Sequence, residues 1–161
     1  MILFLDFDGV LHPDPCQQPD RLFENAPRLA HLLDGHPDVG IVLSTSWRTV
    51  CSEHELLDPL PASLRQRVLG LTPRCGDFTP EPALAPYRRH AECEHWLRVH
   101  GMSGSHWLAL DDRPDWFAPY CENLVECDSR IGLDERTCRL LDGRLAQARQ
   151  RAIGAVDLVL A

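Results

Sequence analysis

Five short apolar runs stand out along the chain, and amphipathic segments lie between them. Most of these runs are unbroken rather than alternating, which is typical of strands covered on both faces of a parallel sheet. We therefore predict strands at Ile2–Leu5, Val39–Leu43, Val68–Leu71, Trp107–Leu110 and Leu124–Val125 with its neighbours.

The amphipathic segments carry helix signals. Asn25 is a candidate N-cap with Pro27 in the first turn, and Gly35 ends the helix. Further helices are expected around Ser63–Arg67, over Arg89–Val99, and after a cap at Asp134. This alternation predicts an α/β protein with a three-layer α/β/α, Rossmann-like fold and a mainly parallel five-stranded sheet.

Two stretches have the composition of loops, namely Asp14–Asp20 and the proline-rich Thr72–Pro86. The second is long for a connection in a compact domain, so we expect residues 72–88 to form a loop near a functional site. At 161 residues the chain fits a single domain, residues 1–161. The apolar tail Ala152–Ala161 is either a docked helix end or an added edge strand.

Composition narrows the possible functions. The formal net charge of −8 argues against nonspecific attachment to nucleic acid or anionic membranes. All 16 basic residues are Arg, and the lack of Lys excludes a Walker-type phosphate loop and Schiff-base chemistry. The seven Cys contain no C-x-x-C pair, and the first residues lack a secretory signal, so free thiols are expected. These features predict a cytoplasmic protein with no membrane span and no obligate protein partner.

The strongest chemical signal is a pair of carboxylates directly after the first apolar run. A strand alternates its side chains, so Asp6 and Asp8 project to the same side where the strand ends. Carboxylates this close repel each other unless a cation or a shared proton relieves them. Ligands of open parallel sheets bind at this edge. The alternative is a strand end with two solvated Asp residues.

The segment DFDGVL, from Asp6 to Leu11, resembles the first motif of the haloacid dehalogenase-like (HAD) phosphatases. The resemblance implies that Asp6 attacks phosphorus, and that Asp8 acts as general acid and then as general base. It also implies that Mg²⁺ binds one Asp6 oxygen and the Asp8 main-chain carbonyl.

The family's second motif is an apolar strand that ends in Ser or Thr, whose hydroxyl holds the phosphoryl oxygens. Here the run Gly40–Leu43 leads into three adjacent hydroxyl residues, Ser44, Thr45 and Ser46. The resemblance favours Thr45 as the gripping residue, with Ser44 and Ser46 as substrate-binding alternatives. A hydroxyl-rich turn without function is the other interpretation.

The third motif is a basic residue that opens a helix and is normally Lys. Arg89 precedes Cys93, Trp96 and Leu97 at the spacing of the family's helix, and Arg88 is the alternative. Arg stays charged and binds a phosphoryl group through two donors, so it is a chemically sound replacement for Lys. A solvated helix start explains a single Arg almost as well.

The fourth motif places paired carboxylates after the run Trp107–Leu110. The resemblance implies that Asp112 binds Mg²⁺ directly and that Asp111 supports the site, and oxygen ligands of this kind suit Mg²⁺. Asp115 either assists these residues or is a turn residue after Pro114.

Trp47 and Trp116 follow the second and fourth motifs and therefore lie near the mouth of the site. Either ring can stack on a base of the substrate, which would make Trp47 a substrate-binding residue, or pack at the rim.

The motifs together are similar to those of a nearly capless, Mg²⁺-dependent HAD phosphatase that forms an aspartyl-phosphate. The expected partner is a phosphorylated substrate, such as a nucleotide or a nucleic-acid end. The LDDRPD stretch is similar to deoxyribonucleotidases, and DFDGVLHP with STSWR and ALDDR is similar to HAD domains of RNA-repair proteins. A phosphotransferase and a catalytically silent binding module remain as alternatives, although a silent module has no need of Asp8.

Overall fold

Five strands form one all-parallel sheet in the computed structural model, which describes the backbone of residues 1–159 and the side chains of residues 1–151. The spatial order is β3-β2-β1-β4-β5, so β1 lies at the centre between β2 and β4. All five predicted strands are present, and the predicted fold class is confirmed. The strands are β1 (Ile2–Leu5), β2 (Gly40–Leu43), β3 (Val68–Leu71), β4 (Trp107–Asp111) and β5 (Leu124–Glu126).

Helices connect the strands in chain order. They are α1 (Ala26–Asp34), α2 (Glu53–Leu57), α3 (Ala62–Arg65), α4 (Arg88–Val99) and α5 (Glu135–Val159). Helix α2 was not predicted, although Ser52 and Glu55 cap it reciprocally and their spacing is a capping-box signal. The tail forms a helix as far as Val159, and Leu160 and Ala161 lie outside the described residues.

Apolar side chains cover both faces of the sheet, which explains why the strand sequences are unbroken apolar runs. Strand β1 alternates between the faces, with Leu3 and Leu5 on one side and Ile2 and Phe4 on the other. Helices α1, α2, α3 and α5 cover the first face, and α4 covers the second. The result is a three-layer sandwich that presents the carboxyl ends of β1 and β4 side by side.

The connections at these carboxyl ends are short or irregular. Between β1 and α1 the chain forms one 3₁₀ turn at Pro19–Arg21. Residues 72–87, between β3 and α4, contain no helix or strand, and Phe78 in this loop stacks on His95 of α4 at a centroid distance of 4.0 Å. No helix within residues 1–159 combines the length and apolarity that crossing a bilayer requires.

A turn before α5 holds the loop that follows β1. The Leu133 amide donates to the Val10 carbonyl at 2.8 Å, and the Asn25 side chain donates to the same carbonyl at 3.3 Å. Asn25 occupies the predicted N-cap position of α1, but its side chain makes no capping bond to the helix. Gly132 has a φ of +77°, and a Cβ there would lie 2.5 Å from the Val10 oxygen.

We expect Gly132→Ala to lower the free energy of unfolding by about 2 kcal/mol or more, because the left-handed backbone costs about 1–2 kcal/mol before any clash with Val10. Gly143→Ala is the matched control, since Gly143 lies in α5 with no atom within 4 Å of its Cβ position. That change should stabilise the protein by up to about 1 kcal/mol. Urea unfolding measures the stability of both variants. Equal changes in the free energy of unfolding would contradict a close approach of the Gly132 Cβ position to the Val10 oxygen.

Candidate active site

Three carboxylates meet at the carboxyl ends of β1 and β4. Asp6 follows β1, Asp111 ends β4 and Asp112 follows it, and one oxygen of each lies within 4.8 Å of the others. Asp6 and Asp111 are buried, and Asp112 is partly exposed. Adjacent parallel strands bring the first and fourth sequence motifs together, as expected from their positions after apolar runs.

A buried guanidinium lies among these carboxylates. Arg89, in the first turn of α4, is fully buried, and its Nη1 lies 3.1 Å from Asp6 Oδ2 and donates to Asp111 Oδ2 at 2.7 Å. Burial alone would lower the pKa of Arg89, but Asp6 and Asp111 outweigh it, so the pKa is raised. Its Nε and Nη2 have no hydrogen-bond partner among the described residues. Arg89 therefore retains donors beside the Asp6 carboxylate.

Asp111 and Asp112 differ in their partners. Both Asp111 oxygens accept hydrogen bonds, one from Arg89 and the other from the Arg113 amide at 2.9 Å. No side chain of the described residues donates to Asp112. Burial and the neighbouring Asp6 charge raise the pKa of Asp112 to about 6, and burial raises the pKa of Asp111 as well. A divalent cation would relieve this repulsion, and Asp112 has the oxygens to bind it.

Gly9 permits the close approach of Asp112 to the first motif. Its φ is +65°, and a Cβ at this position would lie 2.5 Å from Asp112 Cγ. Glycine is required here for both reasons, since any side chain would displace the carboxylate from the site.

Asp8 is held by two ring donors. The Trp47 Nε1 donates to both Asp8 oxygens, at 3.0 and 2.8 Å, and His12 Nε2 lies 3.1 Å from Oδ1. The Phe23 amide donates to His12 Nδ1 at 3.4 Å, so the ring proton lies on Nε2 and points at Asp8. Burial by itself raises the pKa of Asp8, but the hydrogen bonds from His12 and Trp47 outweigh it and lower the pKa.

These contacts give two aromatic side chains a part in positioning Asp8. The Trp47 indole donates to Asp8 and lies edge-on against Phe23, and the expectation that its ring either stacks on a base or packs at the rim stays a prediction. His12, one residue after the first motif, is buried against Asp8. Both side chains fix the Asp8 rotamer. Sequence spacing does not reveal this, because the two rings come from different connections.

The three adjacent hydroxyl residues have different surroundings. Ser44 Oγ lies 3.5 Å from Arg89 Nη1, and Thr45 Oγ1 accepts from the Trp47 amide at 3.3 Å. Because Thr45 accepts this bond, its own hydroxyl proton is available to a ligand. Ser46 helps to lower the pKa of Asp8, after the larger contributions of His12 and Trp47. Ser44 therefore faces Arg89 and Ser46 faces Asp8, while Thr45 lies between them in the chain.

Arg48 and Glu92 form a second buried pair that sequence reasoning missed. Arg48 Nη2 donates to Glu92 Oε2 at 2.6 Å, and its guanidinium also bonds the carbonyls of Ser44, Thr45, Thr72 and Pro73. Glu92 also accepts from the Cys75 amide at 2.9 Å. The pair thus fixes the second-motif turn, the start of the 72–87 loop and α4 to one another. The Arg89-x-x-Glu92 spacing on one helix face was the only signal in the sequence.

The remaining predicted residues lie at the rim. Arg88 is exposed and stacks on Trp116, so the structure brings Arg89 rather than Arg88 to Asp6. Asp115 is exposed and pairs with the Arg113 side chain at 2.8 Å. Asp115 therefore has no contact with the buried carboxylates.

We expect Arg48→Met to lower the free energy of unfolding by about 3 kcal/mol or more, because it leaves the buried Glu92 charge without its main partner. Adding Glu92→Gln should recover part of that loss, since the orphaned charge is removed. Arg98→Met, at an exposed site on α4, should change stability by no more than about 0.5 kcal/mol. The midpoints of urea unfolding compare the stabilities of the three variants. If the losses of stability caused by Arg48→Met and Glu92→Gln are strictly additive, the two side chains are not coupled.

Comparison with known proteins identifies the family of this chain. A family model described as "HAD domain in Swiss Army Knife RNA repair proteins" matches residues 2–138. Searches of curated proteins and of solved structures returned no match. The match spans every motif of the site and all five strands, and HAD domains generally carry phosphatase-type hydrolase chemistry. The chain belongs to the HAD superfamily, in the family of HAD domains found in Swiss Army Knife RNA repair proteins.

Proposed function

We propose that this protein is a Mg²⁺-dependent phosphatase that hydrolyses a phosphomonoester through an aspartyl-phosphate on Asp6. The observation that carries this proposal is the buried Arg89 side chain, whose Nη1 lies 3.1 Å from Asp6 Oδ2 while Nε and Nη2 have no hydrogen-bond partner among the described residues. A buried charged donor without a partner is costly, and such groups persist where a ligand completes them. A phosphoryl group beside Asp6 would supply the missing acceptors.

The first step uses the Asp6 carboxylate as nucleophile. It attacks phosphorus in line, the bond to the leaving oxygen breaks, and Asp8 supplies a proton to that oxygen. Water then attacks the aspartyl-phosphate, Asp8 accepts the proton, and phosphate and the free Asp6 carboxylate are released. The donors Trp47 and His12 hold Asp8 in one orientation and favour its carboxylate, which is the form that accepts a proton from water in the second step. For the first step Asp8 takes up a proton that a monoprotonated phosphomonoester brings into the site.

Asp6, Asp112 and the Asp8 main-chain carbonyl are the groups that would hold Mg²⁺, with Asp111 orienting Arg89 beside them. Hard carboxylate and carbonyl oxygens suit this ion. The bound ion supplies positive charge that offsets the charge of the phosphoryl oxygens and of the crowded carboxylates.

The equatorial phosphoryl oxygens require several donors, because phosphoryl-transfer catalysis depends mainly on positioning and charge stabilisation. Arg89 contributes its unpaired donors, and Thr45 contributes its hydroxyl proton. Ser44 and Ser46 lie on either side of Thr45 and complete the hydroxyl cluster.

The substrate we propose is a nucleotide or, preferably, the phosphorylated end of a nucleic acid. The family description names RNA repair proteins, which supports a nucleic acid as the class of substrate. The connections after β1 and β3 add no helical cap over the site within the described residues, which suits a bulky substrate.

We expect Mg²⁺ to raise the melting temperature by several degrees, since binding at 100 times the dissociation constant contributes about 2.7 kcal/mol. Asp112→Asn should remove this response. The same change should raise stability without Mg²⁺, because it relieves repulsion with Asp6. Asp38→Asn, at the opposite edge of the sheet, should leave the response intact. Undiminished hydrolysis of an aryl phosphate in excess chelator would refute the metal requirement.

Replacing Asp6 and replacing Asp8 should have different effects on turnover. Asp6→Asn should abolish turnover, because an amide cannot form the acyl-phosphate. Asp8→Asn should slow turnover by about 10²–10⁴-fold on poor leaving groups and by less on aryl phosphates, which need little proton donation.

Rapid quenching should trap a covalent phosphate on Asp8→Asn but not on Asp6→Asn. Equal losses at both positions on every leaving group, with nothing trapped, would instead indicate that water is the nucleophile.

A further inference from the structure

A cluster of guanidinium groups lies around one aromatic ring at the rim of the site. Trp116 ends the 3₁₀ turn Pro114–Trp116, and the Cζ atoms of Arg88 and Arg113 each lie 4.1 Å from its ring centroid. The Cζ of Arg89 lies 5.0 Å from the same ring. A single guanidinium therefore separates the Trp116 ring from the Asp6 nucleophile. We call Arg88, Trp116 and Arg113 the rim stack.

The rim stack carries excess positive charge. Arg113 pairs with Asp115 through two hydrogen bonds, at 3.0 and 2.8 Å. Arg88 forms no ion pair with any carboxylate of the described residues, although its charge also helps to lower the pKa of Asp115, after the hydrogen bond and charge of Arg113. Of these two exposed guanidinium groups, one is paired with Asp115 and the other has no ion-pair partner among the described residues. This concentration of charge stands out in a chain with a net charge of −8.

Packing alone does not account for the arrangement. An exposed cation–π contact is worth about 0.5–1 kcal/mol, and placing two cations on one ring adds repulsion between them. What the ring does achieve is orientation, because contact with Trp116 restrains both guanidinium groups. The N–H groups of Arg88 and those of Arg113 that Asp115 does not bind remain available to a ligand. Guanidinium groups bind phosphate oxygens through two donors, and guanidinium planes also stack on unpaired bases.

The position of the stack indicates which phosphate it would bind. Arg89 is buried beside Asp6 and serves the reacting phosphoryl group, whereas Arg88 precedes it on α4 and is exposed. A second anionic group of the substrate, outside the site, would lie against Arg88 and Arg113. A mononucleotide with one phosphate offers no such group, but a strand end does.

We propose that the rim stack binds the phosphodiester next to the terminal phosphate of a single-stranded nucleic acid. This inference rests on the proposed phosphatase function, and it selects strand ends over mononucleotides as the substrate class. Arg88 and Arg113 hold the diester, and their planes and Trp116 support the neighbouring base.

Binding is measured with Asp6→Asn, which keeps the terminal phosphate on the strand. A terminally phosphorylated oligonucleotide, labelled at its other end, should bind at least about 10-fold more tightly than the matching mononucleotide. A nucleoside 3′,5′-bisphosphate tests whether a second phosphate without a strand suffices. Adding Arg88→Ala or Arg113→Ala should weaken oligonucleotide binding about 10-fold and reduce the slope of log affinity against log salt by about 0.7, the value for one phosphate contact on a single strand.

Arg98→Ala is the matched control, because Arg98 lies on the same helix at its opposite end and carries the same charge. The Arg98→Ala variant should bind the oligonucleotide with the same affinity as the parent protein. The slope of its log affinity against log salt should also be the same. Equal weakening by Arg88→Ala and Arg98→Ala would mean that bulk charge alone acts, and would overturn the proposal. So would oligonucleotides that bind no more tightly than mononucleotides.

Steady-state hydrolysis by protein that retains Asp6 completes the test. Arg88→Ala should lose about 10-fold more kcat/KM on the oligonucleotide than on an aryl phosphate. If aryl phosphate is hydrolysed but this selectivity is absent, only the rim stack is refuted. If no phosphate ester is hydrolysed while Asp6→Asn still binds strand ends through Arg88, the proposed catalytic function fails and the binding surface stands.

Discussion

The whole site depends on one buried charge, the guanidinium of Arg89. A fully buried cation is tolerated only where carboxylates surround it, and here they come from β1, β4 and α4 as Asp6, Asp111 and Glu92. This requirement fixes the first turn of α4 above the carboxyl ends of the two central strands. Glu92 in turn holds Arg48, which orders the second-motif turn. The placement of the loops therefore follows from how this charge is neutralised.

Most of the architecture was predictable, because both faces of the sheet are covered. Strands buried on two sides must be continuously apolar, and all five runs became parallel strands. The boundaries shifted by one residue where polar Asp111 and Glu126 extend β4 and β5. Helix α2 was missed since its apolar face is short, although its capping box was visible. The tail could not be assigned from composition, because an apolar segment suits either a helix or an edge strand.

The site was predictable to the extent that it follows strand ends. Asp6, Asp111 and Asp112 each come directly after an apolar run, so parallel pairing alone brings them together. The supporting residues escaped prediction because nothing local marks them. Arg48 acquires its role from Glu92, 44 residues away, and although His12 lies four residues from Asp8, only the fold buries its ring there. For Trp47 the sequence shows that a ring lies near the site, but not which atom its N–H faces.

The hydrogen bond between Leu133 and Val10 has a consequence for the order in which the protein matures. Asp6 follows β1, yet the loop after it is fastened by residues more than a hundred positions later in the chain. A nascent chain that has not reached Leu133 holds Asp6 and Asp8 on a loop without its anchor, and it also lacks β4 until residue 111 has emerged. Because such distant contacts form late, the carboxylates Asp6, Asp111 and Asp112 come together only after β4 has joined the sheet. The order of synthesis therefore separates the formation of the first motif from the assembly of the complete site.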